Sequence, residues 1–131
     1  MTTQESETIA VRILLVDDDS LDRRLLKQTI AAYPDMDLVG EATSGDEAIS
    51  AVDRLHPDIV LMDIRMPTMD GISATREIKA TYPNVKVIGL SDYTEGYSAM
   101  EKAGAVGVCP KSRATEKLYS AIKKSQLDPA I

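Results

Sequence analysis

The chain has no tryptophan, no phenylalanine and only one cysteine. Each absence closes off a class of protein. Without Phe or Trp the core must come from Ile, Leu, Val, Ala and Met, and five Tyr are the whole aromatic supply. A lone cysteine, Cys109, leaves no internal disulfide, which suits a reducing cytosol and a cytoplasmic protein. A bilayer span takes about 20 consecutive apolar residues. No run here approaches that, so no membrane partner is expected. Basic charge is also short. The 15 Lys and Arg are outnumbered by 21 Asp and Glu, for a formal net charge of −6. An acidic chain repels phosphate backbones, so direct nucleic-acid binding by this chain is not expected. A glycine-rich phosphate loop is missing too, which argues against a nucleotide site.

What is present is an alternation. Val11 to Val16 is a β-branched and leucine-rich run, followed at once by Asp17, Asp18 and Asp19. From Ser20 the pattern turns helical, with Leu21, Leu25, Leu26 and Ile30 expected on one buried face, until Pro34. Arg23 and Arg24 are expected on the exposed face. Met36 to Ala42 reads as a weaker strand. Ser44 and Glu47 then form a capping-box pattern ahead of Ala48, Ala51, Val52 and Leu55 at helical spacing. Asp58 to Met62 is a strand apolar on both faces, and it ends at Asp63. Gly71 to Tyr82 is helical with Ile72, Thr75 and Ile78 inward. Val85 to Leu90 is a strand ending at Ser91, and Tyr93 to Ala103 is a weaker helix. Ala105 to Cys109 is a short strand ending at Pro110-Lys111. A last helix, capped by Ser112 or Thr115, buries Leu118, Ala121 and Ile122. Strands apolar on both faces imply a parallel sheet covered on both sides. The expected class is α/β: a (βα)₅ doubly wound five-stranded parallel sheet. One domain spans 11–125, between a flexible tail at 1–10 and a C-terminal tail or truncated linker at 126–131.

Ligands of such folds bind beyond the carboxyl ends of the strands. Here those ends carry Asp17-Asp18, Asp63, Ser91 and Lys111. Three clustered carboxylates repel each other unless a cation or protons neutralise them. Hard oxygen ligands suit Mg²⁺. A carboxylate beside Mg²⁺ can attack a phosphoryl group while a lysine and a hydroxyl hold the other oxygens. His56, before Pro57 at a helix end, reads as a partner of terminal carbonyls. Cys109 reads as a small buried hydrophobe.

Val16-Asp17-Asp18, Asp63-x-x-Met66-Pro67-x-x-x-Gly71, Leu90-Ser91 and Lys111 together resemble the receiver domains of two-component response regulators. The pattern is most similar to receivers with LuxR-type output domains, and it covers about positions 11 to 124. The resemblance implies the flavodoxin-like strand order 2-1-3-4-5. It makes Asp63 the phospho-acceptor. Asp18 and the backbone carbonyl of Arg65 would hold Mg²⁺ together with Asp63, with Asp17 acting through water. Ser91 would be the switch hydroxyl and Lys111 the phosphoryl-binding residue. Asp92, Tyr93 and Arg65 would be modulators. It further implies a sensor histidine kinase or phosphotransfer protein as donor, catalysis by the chain of its own phosphorylation and dephosphorylation, and a homodimer on phosphorylation. A DNA-binding output domain or another partner would be the regulated target.

The pattern departs from that family at four points. Val108 stands three positions before the lysine, where many receivers carry an aromatic switch residue; Tyr93 or Tyr97 is the candidate substitute. Asp92 follows the switch hydroxyl, where a small or apolar residue is usual. Pro110 precedes Lys111, where many relatives have proline after it. Ser112 then follows the lysine, as in the LuxR-type subclass. The alternative function is a pseudo-receiver, an interaction module that works without phosphorylation. A third reading, a Mg²⁺-dependent phosphatase, would want an acid two residues after Asp63, where Arg65 stands. A carboxylate at 92 repels an anionic donor. Phosphorylation of the wild type by a small phosphodonor is therefore expected to be slower than that of Asp92→Ala; equal rates in a side-by-side time course would remove this role.

Overall fold

The β-branched runs form strands because their stiff, branched side chains fit a pleated surface covered on both faces. A computed structural model, described over residues 9–127, places them as β1 (Val11–Val16), β2 (Met36–Ala42), β3 (Ile59–Asp63), β4 (Lys86–Leu90) and β5 (Gly107–Cys109). All four neighbouring pairs are parallel, in the order β2-β1-β3-β4-β5. Between them run α1 (Ser20–Ala31), α2 (Gly45–Leu55), α3 (Gly71–Thr81) and α4 (Tyr97–Ala103), and α5 (Ala114–Leu127) closes the fold. Five helices on both faces of a parallel sheet match the doubly wound expectation. Among the described residues no helix is long and apolar enough to cross a membrane. Positions 1–8 and 128–131, which hold most of the expected tails, lie outside the described residues. The last helix runs on through Gln126 and Leu127.

The sheet separates two cores. On one face Ile13, Leu15, Ile59, Leu61 and Leu90 pack with Leu26, Ile30, Leu118 and Ile122 of α1 and α5. On the other, Leu14, Val16, Val60, Met62 and Val87 pack with Ala48, Val52, Ala74, Ile78 and Met100 of α2 to α4. The central strand β3 is buried along its whole length. That is why it reads as an unbroken apolar run and not as an alternation.

Several local expectations change. Leu26 and Ile30 are buried, but Leu21 and Leu25 are 58% and 52% exposed. The inward stripe of α1 repeats every four residues through 22, 26 and 30, and it is narrower than the run of leucines. Arg23 does not lie free on the exposed face. Its guanidinium donates to the Asp17 carbonyl (2.8 Å) and pairs with Glu41 (3.2 Å). Ser44 caps α2 through the Glu47 amide, while Glu47 itself accepts from Thr43 and so sits one residue off the capping-box pairing. The weak fourth helix begins as a 3₁₀ turn at Thr94–Gly96. Neither Ser112 nor Thr115 caps the last helix in the way expected; a 3₁₀ turn, Lys111–Arg113, leads into α5. His56 ends α2 through its backbone, in the left-handed region at φ 49°.

One close approach ties the fold to the rim. An added Cβ at Gly71, the first residue of α3, would lie 2.1 Å from the Asp63 carbonyl oxygen and 3.0 Å from the Ile64 Cα. Both obstacles are backbone, so no side chain can swing aside. The Gly71 amide also donates to the Ile64 carbonyl at 2.9 Å. We expect Gly71→Ala to cost about 3 kcal/mol through forced overpacking, read as a lower urea midpoint at unchanged m-value. A variant as stable as wild type would show that the α3 start is free to shift.

Candidate functional site

Three strands deliver the charged rim. β1 runs straight into Asp17, whose amide donates to the Ala42 carbonyl at 3.0 Å, extending the ladder by one residue. Asp17 is fully buried, Asp63 at the end of β3 is 5% exposed and Asp18 is exposed. One carboxylate oxygen from each of Asp17, Asp18 and Asp63 falls within 4.8 Å of the others. Asp19, the next acid, leaves the cluster and caps α1 by accepting from the Leu21 amide.

Lys111, at the end of the fifth strand segment, reaches into this rim. Its ammonium lies 2.9 Å from Asp17 Oδ2, 3.3 Å from Asp63 Oδ2 and 2.9 Å from Asp22 Oδ2. Burial alone would lower the Lys111 pKa; the carboxylates of Asp17, Asp22 and Asp63 outweigh it and hold the ammonium charged. Asp63 is pushed the other way, up to about 7, first by burial and then by the neighbouring charge of Asp17, with Lys111 offsetting only part. One lysine therefore does not neutralise the cluster.

A cation fits the remaining demand. Asp17 Oδ1 is occupied by the Asp19 amide at 2.9 Å. Oδ2 is buried, and the Lys111 ammonium 2.9 Å from it is shared with Asp22 and Asp63. Hard carboxylate oxygens with spare lone pairs, converging from two loops, are a donor set for Mg²⁺.

The neutral side of the rim is organised by the loops after β4 and β5. Ser91 is buried, and its hydroxyl donates to the Tyr93 carbonyl (3.1 Å) while accepting from the Tyr93 amide (3.0 Å). Its own carbonyl accepts from the Tyr97 hydroxyl at 3.0 Å. Asp92 is not a free solvated acid. Its Oδ1 accepts from the amide (2.9 Å) and hydroxyl (2.8 Å) of Ser112, which hold its carboxyl below the usual range. The Arg65 guanidinium lies 4.8 Å from the centroid of the Tyr93 ring and 3.7 Å from Glu95. With Ile64, Met66 and Ser91, these residues line a cavity of about 340 Å³ beside Asp63. A larger groove, about 520 Å³, is lined by Ile88, Val106, Val108 and Leu127 and lies away from the carboxylates. Val108 is half-buried there.

The structure thus brings together Asp17, Asp18, Asp63 and Lys111, with Ser91, Asp92, Tyr93 and Arg65 around them. Two participants were missed from sequence. Asp22 touches Lys111, and the signal for it was a carboxylate in register with the buried Leu26 and Ile30. Ser112 holds Asp92, and nothing local in the sequence joins those two loops.

Comparison with known proteins places this architecture. The model of the response regulator receiver domain matches residues 13–123, and the chain belongs to that family. Among curated relatives it is 36% identical over 115 residues to the transcriptional regulatory protein DegU of Brevibacillus brevis, covering 86% of this chain and 49% of that protein. It is 45% identical over 105 residues to a protein-glutamate methylesterase/protein-glutamine glutaminase of Geobacter metallireducens, covering 77% of this chain and 30% of that one. The chain therefore spans about half or less of the length of these relatives. Among solved structures, the response regulator domain of Thermotoga maritima CheB superposes with a TM-score of 0.84 at 32% identity, covering 92% of this chain and 99% of that one. A LuxR-family response regulator from Aurantimonas gives a TM-score of 0.85 at 30% identity, covering 90% and 86%. Receiver domains bind Mg²⁺ at an acidic pocket, and the Asp17, Asp18 and Asp63 carboxylates form such a cluster.

The raised Asp63 pKa has a consequence for stability. From pH 3.8 to about 7 the folded protein keeps a proton on Asp63 that the unfolded chain has lost. Folding stability of the metal-free protein therefore falls as pH rises through that window. Melting curves should show this decline in wild type and a flatter profile in Asp63→Asn, which melts higher than wild type at neutral pH without metal. Millimolar Mg²⁺ should raise the wild-type melting temperature by mass action. A wild type indifferent to Mg²⁺ would count against a metal site.

Proposed function

We propose that this chain is a phosphorylation-activated signalling switch of a two-component phosphorelay, with Asp63 as the phospho-acceptor. The observation that carries the reading is the carboxylate cluster at the strand ends, with Asp17 and Asp63 buried, set against one lysine that cannot neutralise it. Folding gains nothing from three repelling acids at one rim.

In this reading a carboxylate oxygen of Asp63 attacks the phosphorus of a phosphohistidine on a sensor histidine kinase or phosphotransfer protein. The P–N bond breaks, the histidine nitrogen leaves with its electron pair, and an acyl phosphate forms on Asp63. Asp18, Asp63 and the Arg65 carbonyl, with Asp17 through water, would hold Mg²⁺, which would supply positive charge to the transferring oxygens. Lys111 supplies a donor to a phosphoryl oxygen from the other side. Ser91 turns its hydroxyl from the Tyr93 backbone toward the phosphoryl group. Its linkage through Tyr97 gives that turn a ring to move, in the place of the aromatic that Val108 lacks. Arg65 and Tyr93 stand over the approach to Asp63 and modulate water access. Hydrolysis of the acyl phosphate by water returns the switch to rest.

The changed surface then regulates an output domain or partner, directly or through a homodimer formed on phosphorylation. Transcriptional regulation is the favoured output, given DegU among the relatives, and a cytoplasmic location follows from the proposed phosphodonor. Asp92 and Val108 favour a second reading, a pseudo-receiver that binds partners without phosphorylation; the intact acidic cluster and Lys111 weigh against it.

Intact-mass spectrometry after incubation with acetyl phosphate or phosphoramidate decides between them. We expect a single phosphoryl adduct that requires Mg²⁺ and is absent from Asp63→Asn. The wild type staying unmodified with every donor, while folded, would leave the pseudo-receiver.

A further inference from the structure

We propose that Asp22 is a competing counter-ion for Lys111: it holds the ammonium toward α1 in the unphosphorylated chain and must release it when a phosphoryl group arrives. The inference rests on the receiver reading above and adds a positioning residue to it.

Asp22 occupies an unusual place. Residues 22, 26 and 30 share one face of α1, and Leu26 and Ile30 are 4% and 3% exposed. The carboxylate therefore tops an apolar stripe, where it needs a partner to offset partial burial. That partner is Lys111, whose ammonium donates to Asp22 Oδ2 at 2.9 Å.

The three carboxylates around Lys111 are not equivalent. An ammonium has three donors. Nζ donates to Asp22 Oδ2 at 2.9 Å and lies as close to Asp17 Oδ2, at 2.9 Å. Asp63, whose phosphoryl group Lys111 has to bind, is the farthest of the three, at 3.3 Å. Asp22 also stands apart chemically. Its oxygens are not among those of the Asp17, Asp18 and Asp63 cluster. A cation there would draw on the charge of Asp17 and Asp63 and leave that of Asp22 untouched. Esterification likewise removes the charge of Asp63 but not of Asp22. In the loaded state Asp22 is thus the carboxylate that still competes fully with the phosphoryl oxygens for Lys111. It lies 35% exposed at its side chain, so the pair can open into water without stranding a buried charge.

The test is a beryllofluoride titration of the Mg²⁺-loaded protein, followed by fluorine NMR, on wild type, Asp22→Asn and Asp22→Glu. The amide keeps the shape and removes the charge, and melting temperatures confirm that each variant is folded. Asp22→Asn should bind the phosphoryl mimic roughly three- to tenfold more tightly, and Asp22→Glu should stay within about twofold of wild type. In a Lys111→Met background the same change at 22 should have no effect, which a merely structural role would not produce. Equal or weaker binding by Asp22→Asn, with normal binding by wild type, would overturn this role alone. Absence of binding by wild type would instead overturn the receiver reading and this role with it.

Discussion

The structure depends on one electrostatic constraint: a single ammonium, Lys111, set among the carboxylates of Asp17, Asp22 and Asp63. These groups come from β1, α1, β3 and the turn after β5, so the contact can exist only when the sheet is assembled in its native order. The same contact leaves an excess of negative charge in a place largely shut off from water. Coulomb repulsion between acids grows as the surrounding dielectric falls. A fold that keeps such an arrangement trades stability at rest for readiness to take up positive charge and, in the proposed switch, a phosphoryl group. The raised proton affinity of Asp63 and the sharing of one ammonium by Asp17, Asp22 and Asp63 are two faces of that single imbalance.

Much of this was legible from residue order. The strands were readable because β1, β3 and β4 are apolar on both faces, and the position of Asp17, Asp63, Ser91 and Lys111 at strand ends put them on one rim before any coordinates. What was not legible depends on packing between distant segments. Leucine count suggested a broad buried face for α1, but α5 covers only the stripe through Leu26 and Ile30. Leu21 and Leu25 were left outside and Asp22 was brought in. The anchoring of Asp92 was not legible because its partner, Ser112, lies 20 residues on. Arg23 looked like a surface charge because periodicity says nothing of a carbonyl, here that of Asp17, placed within its reach.

The departures from the family pattern also look different once the loops are seen. Asp92 fastens the loop after β4 to the loop after β5 through Ser112, so the segment that carries Ser91 and the one that carries Lys111 are tied directly. Tyr97 adds a second tie, from α4 to the Ser91 backbone. A small residue at 108 leaves a groove along β5 in place of a ring slot. In the proposed switch, the coupling that other receivers route through an aromatic on the fifth strand would here pass through polar contacts between loops.

The close approach of Gly71 to the Asp63 carbonyl makes the Asp63 backbone the stationary part of the assembly. Helix α3 starts hard against it, and the Ile64 amide is held in turn by the Leu90 carbonyl at 3.3 Å. A body gripped on both sides transmits a push and does not absorb it. In the proposed switch, strain introduced at Asp63 would pass to the wall opposite, where short 3₁₀ turns at Thr94–Gly96 and Lys111–Arg113 flank the rim. The site thus sets an anvil of packed backbone against a wall of short turns, and the direction of any deformation would be set before a ligand binds.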